Sequence, residues 1–398
     1  MGILVQTIPT IQTSKASKER IVSIQVCRGL AALVVILAHL YEFSDRYLKL
    51  PFTEGLRLGD IGVDIFFVIS GVVISLVTLG KFGSGRNALS FLHHRFARIY
   101  PVFWIYFIVV LAVYLQNPST VNAIAGSTPN LFWGFFLMPS PGHPLLIAQA
   151  WTLSHEVCFY CIVFLLMVTV PERIAGWCLL GWGVFMAVAK VLSFSFTNPV
   201  LSLLASPLNF EFLSGYLLFS IYRRTTLHRS AGKLILASSL VWLALVTWWS
   251  IAAHDLVHWI ERDTWTRVYF WGPFAFLFVW GAMELERNRT RKIAKFFEDL
   301  GNWSYSIYLS HVLVIHAIGR PLARLLPHTF PTFLIICAAT LPASIAVGAL
   351  SYRFLELPLM ALLYKKRDSK RRRELERVAV PKVRIAMVVP FPKANSHR

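Results

Sequence analysis

Ten apolar runs, each long enough to form a helix that crosses a lipid bilayer, constrain this chain more than any other feature. A helix rises about 1.5 Å per residue, so about 20 apolar residues cover the roughly 30 Å of hydrocarbon in a membrane. Lipid offers no partners for backbone polar groups, and each crossing segment is therefore expected to be helical. We predict an all-α integral membrane protein, a polytopic bundle of about ten transmembrane helices, over residues 22–43, 60–80, 99–116, 152–170, 174–193, 201–222, 232–252, 265–283, 303–319 and 333–363.

The composition supports a membrane protein and argues against a soluble one that binds nucleic acid. Apolar residues make up 56% of the 398 residues and charged residues only 15%, against about 25% charged in an ordinary soluble domain. A net charge of +19 would suggest a nucleic-acid partner if the chain were soluble. Here the basic residues have another explanation, because they are distributed unequally between alternate loops.

The distribution of Lys and Arg predicts the orientation of the bundle. Cytoplasmic loops of membrane proteins are enriched in these residues. Of the 39 basic residues, 29 fall in the two tails and in the loops on the same predicted side. An even number of spans places both termini on that side, so both are predicted to be cytoplasmic. Only seven basic residues fall in the opposite loops: Arg46, Lys49, Arg57, Arg262, Arg267, Arg320 and Arg324.

The sequence divides into two tails and one transmembrane domain. Residues 1–20 form a polar N-terminal tail that does not resemble a secretory signal, so the first span is predicted to act as an uncleaved anchor. Residues 21–364 form the transmembrane domain. Residues 365–398 carry twelve basic and three acidic side chains. We expect this tail to be disordered, cytoplasmic and attracted to anionic lipid headgroups.

Two ionisable residues in the first span are costly in a bilayer unless they face a cavity or a partner. Arg28 and His39 are eleven residues apart, close to a whole number of helical turns, and so they project from the same face. Arg28 would lie near the cytoplasmic edge, where snorkelling to headgroups is an alternative explanation. His39 would lie in the outer half, as a structural hydrogen-bonding group or as a general base.

Further ionisable residues follow in the next three spans. Asp64 lies near the outer end of the second span, where its carboxylate could orient the His39 imidazole. Arg95 and Arg98 are three residues apart in the first turn and a half of the third span, and such a pair suits a phosphate group, although positive-inside anchoring competes with that interpretation. Glu156 lies inside the fourth span beside His155, Cys158 and Cys161, whose spacing does not favour a metal site.

The ninth and tenth spans add a second polar group. Tyr308 and His311 follow Ser304 with the spacing of one helix face, and His311 repeats the argument made for His39. Arg353 and Glu356 are three residues apart and are expected to form a local ion pair.

Six motifs occur in a fixed order along the chain. They are Arg28-Gly29-Leu30-Ala31-Ala32 with His39, GDIGVDIFFVISG from residue 59, Arg95-x-x-Arg98-Ile99-x-Pro101, Trp151-Thr152-Leu153-Ser154-x-Glu156, Tyr305-Ser306-x-Tyr308-Leu309-x-His311, and Glu356-x-Pro358. In this order, with about ten spans, the chain resembles the membrane acyltransferase-3 family. The resemblance covers residues 21–363, nearly all of the transmembrane domain.

The resemblance implies transfer of an acyl group, commonly acetyl, from cytoplasmic acyl-CoA to a hydroxyl of a saccharide or glycan precursor at a bacterial inner membrane. It implies the stand-alone form of the family, with no metal. It assigns donor binding to Arg28, Arg95 and Arg98, and it makes His39 either a general base or an acyl carrier. Asp64 and Glu156 both match motif positions, so either carboxylate is a candidate partner for His39.

Tyr308 and His311 are then candidates for stabilising the oxyanion or binding the acceptor. A secondary transporter of a small molecule or glycan is the alternative function, because transporters also place ionisable residues among many spans. A transporter built from repeats would have two similar halves. The second half of this sequence repeats neither the Arg-to-His spacing nor the GDIGVD segment.

Overall fold

The computed structural model describes residues 21–50, 58–121, 128–138, 144–194, 196–228, 230–252, 263–287 and 295–363. Within these ranges the chain is helical and forms no strand, which confirms the predicted all-α class. The predicted tails, 1–20 and 365–398, lie outside the described residues. The helices are α1 (Val22–Tyr47), α2 (Ile61–Thr78), α3 (Gly85–Gln116), α4 (Pro118–Val121), α5 (Leu131–Phe135), α6 (Trp151–Thr169), α7 (Glu172–Val191), α8 (Pro199–Leu204), α9 (Asn209–Arg224), α10 (Ala231–Ala252), α11 (Thr264–Arg287), α12 (Lys295–Leu325) and α13 (Phe330–Ser351).

Eight helical segments among the described residues are long and apolar enough to cross a membrane, and the molecule is a multi-pass membrane protein as predicted. They are Val22–Tyr47, Leu58–Thr78, Gly85–Gln116, Ala148–Thr169, Glu172–Val191, Ala231–Trp249, Thr264–Arg287 and Phe330–Leu363. The third segment begins fourteen residues before the predicted start at residue 99. Ser84 caps it, because the Ser84 hydroxyl accepts a hydrogen bond from the Asn87 N–H.

Two of the ten predicted spans correspond to helices that differ from the rest. The run 201–222 is interrupted between Leu204 and Asn209, which leaves α9 with 16 residues. Helix α12 has 31 residues, but serine, tyrosine and histidine side chains through its middle lower its hydropathy. A helix this polar needs protein rather than lipid around it. Helices α9 and α12 both pack inside the bundle, where most of their central side chains are buried.

Helices α1 and α12 pack closely and run in the same direction. A Cβ atom on Gly301 would lie 1.9 Å from the Gln25 carbonyl oxygen, and one on Gly319 would lie 2.7 Å from the Phe43 ring. Small residues at both levels let the two backbones approach, as they do in membrane helix pairs. The parallel contact aligns the polar face of α12 with the face of α1 that carries Arg28 and His39.

Helix α2 packs against α9 through a second glycine pair. A Cβ atom on Gly215 would lie 1.9 Å from the Val68 carbonyl oxygen, and one on Gly71 would lie 2.1 Å from the Phe212 carbonyl oxygen. The Phe67 ring stacks on Phe212 with 4.5 Å between centroids. These contacts hold α2 in the middle of the bundle, where it separates two buried apolar clusters.

Helix α13 continues into a π-helical turn, Tyr352–Glu356. The turn directs Glu356 inward, where its carboxylate accepts a hydrogen bond of 2.7 Å from the Ser306 hydroxyl. The Arg353 guanidinium lies instead beside the Phe354 ring, 5.7 Å from its centroid. The predicted local ion pair between Arg353 and Glu356 is therefore wrong, because the extra residue in a π turn changes the side-chain spacing.

Candidate active site

A partly open cavity lies between α1, α2, α3, α6 and α12. Its lining extends along α2 from Val63 to Ile74, which corresponds to about 16 Å of helix. The cavity is lined by residues from five of the six motifs, which are separated by up to 280 positions in the sequence. Five of the eight predicted site residues line it: Arg28, Arg95, Arg98, Glu156 and Tyr308.

The arginines are concentrated at one part of this cavity. Arg28 interacts electrostatically with Arg98 and with two acidic groups, the partly buried Glu156 and the buried Glu356. The Arg95 Nε atom is buried without a hydrogen-bond partner among the described residues, and its guanidinium lies 6.0 Å from the Phe91 ring centroid. Three guanidinium groups around one cavity, opposed by two carboxylates, favour binding of an anion.

Glu156 and Tyr308 are fixed by hydrogen bonds within the cavity wall. The Glu156 carboxylate accepts hydrogen bonds from the Tyr160 hydroxyl and, at 3.2 Å, from the Ser70 hydroxyl. The Tyr308 hydroxyl donates to the Gln149 carbonyl oxygen at 2.6 Å and lies 2.6 Å from the Thr152 hydroxyl. Both side chains are thus held at the cavity surface.

His39 and His311 lie together, next to the cavity lining. Their ring centroids are 4.8 Å apart, and the His311 ring is 5.9 Å from that of Tyr308 in the cavity wall. The sequence placed both histidines on polar faces without indicating that they would meet. The parallel packing of α1 and α12 brings them together.

The hydrogen bonds of the two rings determine which nitrogen can accept a proton. His39 Nδ1 lies 2.8 Å from the Glu42 carboxylate, and His311 Nδ1 lies 3.1 Å from the Ile307 carbonyl oxygen. A carbonyl oxygen only accepts, so His311 Nδ1 carries the hydrogen and the neutral ring keeps its lone pair on Nε2. This Nε2 atom is buried and has no hydrogen-bond partner among the described residues.

Asp64 lies outside the cavity lining and binds a different partner. Its fully buried carboxylate forms a bidentate ion pair with Arg267, with distances of 3.1 Å to Nε and 2.8 Å to Nη2. Arg267 also donates to the Asp60 carbonyl oxygen at 3.0 Å. This ion pair joins the start of α2 to α11, a structural role that the sequence did not indicate.

The carboxylate beside His39 is therefore neither of the two expected ones. Glu42 takes this position from the same helix, three residues along, with a side chain that is 64% exposed. Its spacing from His39 was a signal available in the sequence. Because an exposed glutamate near a helix end is usually a solvated surface residue, it did not stand out.

Of the residues considered for a metal site, His155 is hydrogen-bonded to other groups. His155 Nδ1 lies 3.0 Å from the Trp151 carbonyl oxygen and Nε2 lies 3.1 Å from the Ser206 hydroxyl. Cys158 and Cys161 are free thiols.

Comparison with known proteins agrees with the motifs. A family profile described as an acyltransferase domain matches residues 21–349. The exopolysaccharide production protein ExoZ of Rhizobium meliloti is 29% identical over 76% of this chain and 90% of its own length. The acyltransferase MdmB of Streptomyces mycarofaciens is 25% identical over 87% of this chain and 94% of its own length. The peptidoglycan O-acetyltransferase OatA of Listeria monocytogenes is 25% identical over 87% of this chain, which spans 57% of OatA.

No solved structure is significantly similar to the chain. The family match covers most of the sequence and includes all eight predicted site residues. The chain belongs to the acyltransferase-3 family and is a membrane enzyme that transfers acyl groups other than aminoacyl groups.

Proposed function

We propose that this enzyme transfers an acetyl group from cytoplasmic acetyl-CoA to a hydroxyl of a saccharide or glycan precursor at the cell inner membrane. The observation that carries the proposal is the single cavity that joins Arg28, Arg95 and Arg98 and adjoins the His39–His311 pair. An acyl-CoA donor needs cationic side chains that bind its phosphates. It also needs a basic side chain beside its thioester carbonyl carbon, where the acyl group is transferred.

Donor binding is assigned to the three arginines. Guanidinium groups bind phosphate oxygens bidentately, and Arg95 and Arg98 lie one helical turn apart on α3, opposite Arg28 on α1. The CoA phosphates would bind at Arg95 and Arg98, with the pantetheine arm passing Arg28. The length of the cavity along α2, about 16 Å, lets the thioester approach Tyr308 and the histidine pair.

Acyl transfer at His39 follows one of two routes. As a general base, His39 accepts the proton of the acceptor hydroxyl while its oxygen attacks the thioester carbonyl carbon. As a nucleophile, His39 Nε2 first forms a bond to that carbon, and the acceptor oxygen then displaces the imidazole. In both routes the C–S bond breaks and the CoA thiolate takes up the proton that the hydroxyl lost.

The groups around His39 have separate roles in this proposal. Glu42 replaces Asp64 and Glu156 as the carboxylate that fixes the ring, because its oxygen lies 2.8 Å from His39 Nδ1. The lone pair on His311 Nε2 suits a hydrogen bond from the acceptor hydroxyl. The Tyr308 hydroxyl would act on the developing oxyanion only by releasing its present partner, the Gln149 carbonyl.

The acceptor class is supported by the relatives. ExoZ is named for exopolysaccharide production and OatA for O-acetylation of peptidoglycan. Both names point to glycan hydroxyls as acceptors.

Purified protein in detergent, incubated with labelled acetyl-CoA and candidate glycans, tests the proposal. We expect label in the glycan with wild type and a loss of about 10²–10⁴-fold for His39→Ala, the contribution typical of a general base. Absence of transfer by wild type, or unchanged transfer by His39→Ala, would refute it. Omitting the glycan distinguishes the two routes, because only an acyl carrier leaves a labelled enzyme.

A further inference from the structure

A basic and aromatic cluster lies at the predicted extracytoplasmic ends of α1 and α12, away from the proposed donor site. The outer basic cluster consists of Arg46, Tyr47, His316 and Arg320. The Cζ atoms of Arg46 and Arg320 lie 5.8 Å and 5.4 Å from the Tyr47 ring centroid. The His316 ring meets the same ring edge-on, with 5.8 Å between centroids.

The cluster lies within electrostatic range of His39. Phe43 packs against the cluster, with its ring centroid 4.7 Å from Tyr47 and 5.8 Å from His316. His316 interacts electrostatically with Arg46 and Arg320 of the cluster and also with His39 and Glu42. Its Nδ1 atom is buried without a hydrogen-bond partner among the described residues. A molecule bound at the cluster would therefore reach the proposed reacting group.

Orientation in the membrane does not explain this arrangement. Lys and Arg are sparse in the loops on this predicted side, where only seven of the 39 occur. Two of those seven nevertheless converge on one tyrosine ring.

The side chains are also accessible from outside the bundle. Arg46 is exposed, and Tyr47, His316 and Arg320 are partly exposed. Guanidinium groups bind carboxylates and phosphates through paired N–H donors. The Tyr47 ring adds a rigid, flat apolar surface beside them. Together they suit a ring-shaped polar molecule that carries an anionic group.

We propose that the outer basic cluster binds an anionic group of the acceptor, next to the hydroxyl that is acylated at His39. This inference rests on the proposed function, because it takes His39 as the reacting group. The anion is a carboxylate on the saccharide or a phosphate that links the saccharide to a lipid carrier. In both cases the cluster selects an acidic acceptor over a neutral one.

Equilibrium binding to the purified protein without acyl-CoA, measured by titration calorimetry, tests this proposal with three probes. They are an oligosaccharide containing glucuronate, the same oligosaccharide with its carboxyl groups reduced, and a neutral saccharide on a prenyl phosphate. We expect wild type to bind at least one anionic probe about tenfold or more tightly than the neutral one. Tighter binding of the first identifies a sugar carboxylate, and tighter binding of the third identifies the lipid phosphate.

The double variant Arg46→Gln with Arg320→Gln should lose this preference while keeping the acyl-CoA KM and a monodisperse gel-filtration profile. Arg320→Lys keeps the positive charge but lacks the planar guanidinium group, and it should retain part of the preference for the anionic probe. Arg324→Gln changes an exposed arginine one turn further along α12. It is the matched control and should leave the preference unchanged.

Equal binding of all probes by wild type, or a preference that survives in the double variant, would overturn the proposal. A wild type that binds but transfers no acyl group would instead refute the proposed function.

Discussion

At the scale of single residues, hydrogen-bond partners rather than positions in sequence distinguish the roles of the ionisable groups. Asp64 and Glu42 are both acidic residues near the predicted outer ends of their helices. Asp64 is engaged by two nitrogen atoms of Arg267, whereas Glu42 has an oxygen 2.8 Å from His39 Nδ1. A carboxylate so placed fixes the ring and stabilises its protonated form.

Replacing Glu42 tests this assignment. Glu42→Gln keeps the size of the side chain but removes the charge that stabilises the imidazolium, so kcat should fall about tenfold with little change in the acyl-CoA KM. Steady-state kinetics of the purified variant measure both parameters. Asp45→Asn, which changes an exposed acid on the same helix, is the control and should behave as wild type. A kcat that is the same in Glu42→Gln and Asp45→Asn would exclude Glu42 from the site.

The arginines of the cavity predict a different kinetic signature. Arg95→Ala and Arg98→Ala each remove charge-assisted hydrogen bonds to the donor phosphates, so each should raise the acyl-CoA KM about tenfold or more. The acceptor KM should stay unchanged, because the acceptor is proposed to bind at the other end of the site. Arg86→Ala, an exposed arginine earlier on α3, serves as the control. An unchanged acyl-CoA KM in both cavity variants would remove them from the donor site.

At the scale of elements, close contacts at glycine determine where His39 and His311 lie. Helices α1 and α12 approach at Gly301 and at Gly319, and between these levels His39 meets His311. A shift of either helix would separate the two rings. The geometry of the site therefore depends on residues that carry no functional group.

Gly301→Ala tests the dependence of the site on this packing. The added Cβ would lie 1.9 Å from the Gln25 carbonyl oxygen, and the overpacking should cost about 1–3 kcal/mol and lower both Tm and activity. Gly181→Ala adds the same atom in α7, where no neighbour lies within 4 Å. That control should keep Tm or raise it slightly, since alanine favours the helix. Equal Tm values for the two variants would contradict the packing argument.

The sequence predicted the helical elements better than their assembly. Apolar length located the helices, because a bilayer imposes it on every crossing segment. It failed for the start of α3, since the polar turns from Gly85 carry no hydropathy signal, and for α12, whose polar residues need protein neighbours. Five of the predicted site residues line one cavity. The pairing of Arg267 with Asp64 joins positions 203 residues apart, and no spacing rule supplies such a contact.

At the scale of the whole molecule, the separation of charged groups would give the bundle one end for the donor and one for the acceptor, as proposed above. Arg28, Arg95 and Arg98 line one part of the cavity, and the outer basic cluster lies beyond the histidine pair on α1 and α12. The excess of basic residues on the side of both termini predicts that the first end faces the cytoplasm. Donor and acceptor would thus approach His39 from opposite faces of the membrane.

The orientation can be checked independently. Because both termini are expected on the cytoplasmic side, epitope tags at the two ends should be digested by protease only after the cells are opened. Digestion of one tag alone in intact cells would contradict an even number of crossings.

Transfer across sealed vesicles tests the central claim most directly. Purified protein is reconstituted into vesicles that enclose the acceptor glycan. Labelled acetyl-CoA is added to the outer solution, and only vesicles in which the C-terminal tag is accessible from outside are compared. We predict label in the enclosed glycan with wild type and none with His39→Ala. Label that enters the glycan only when both substrates are on the same face would contradict transfer between the two ends of the bundle.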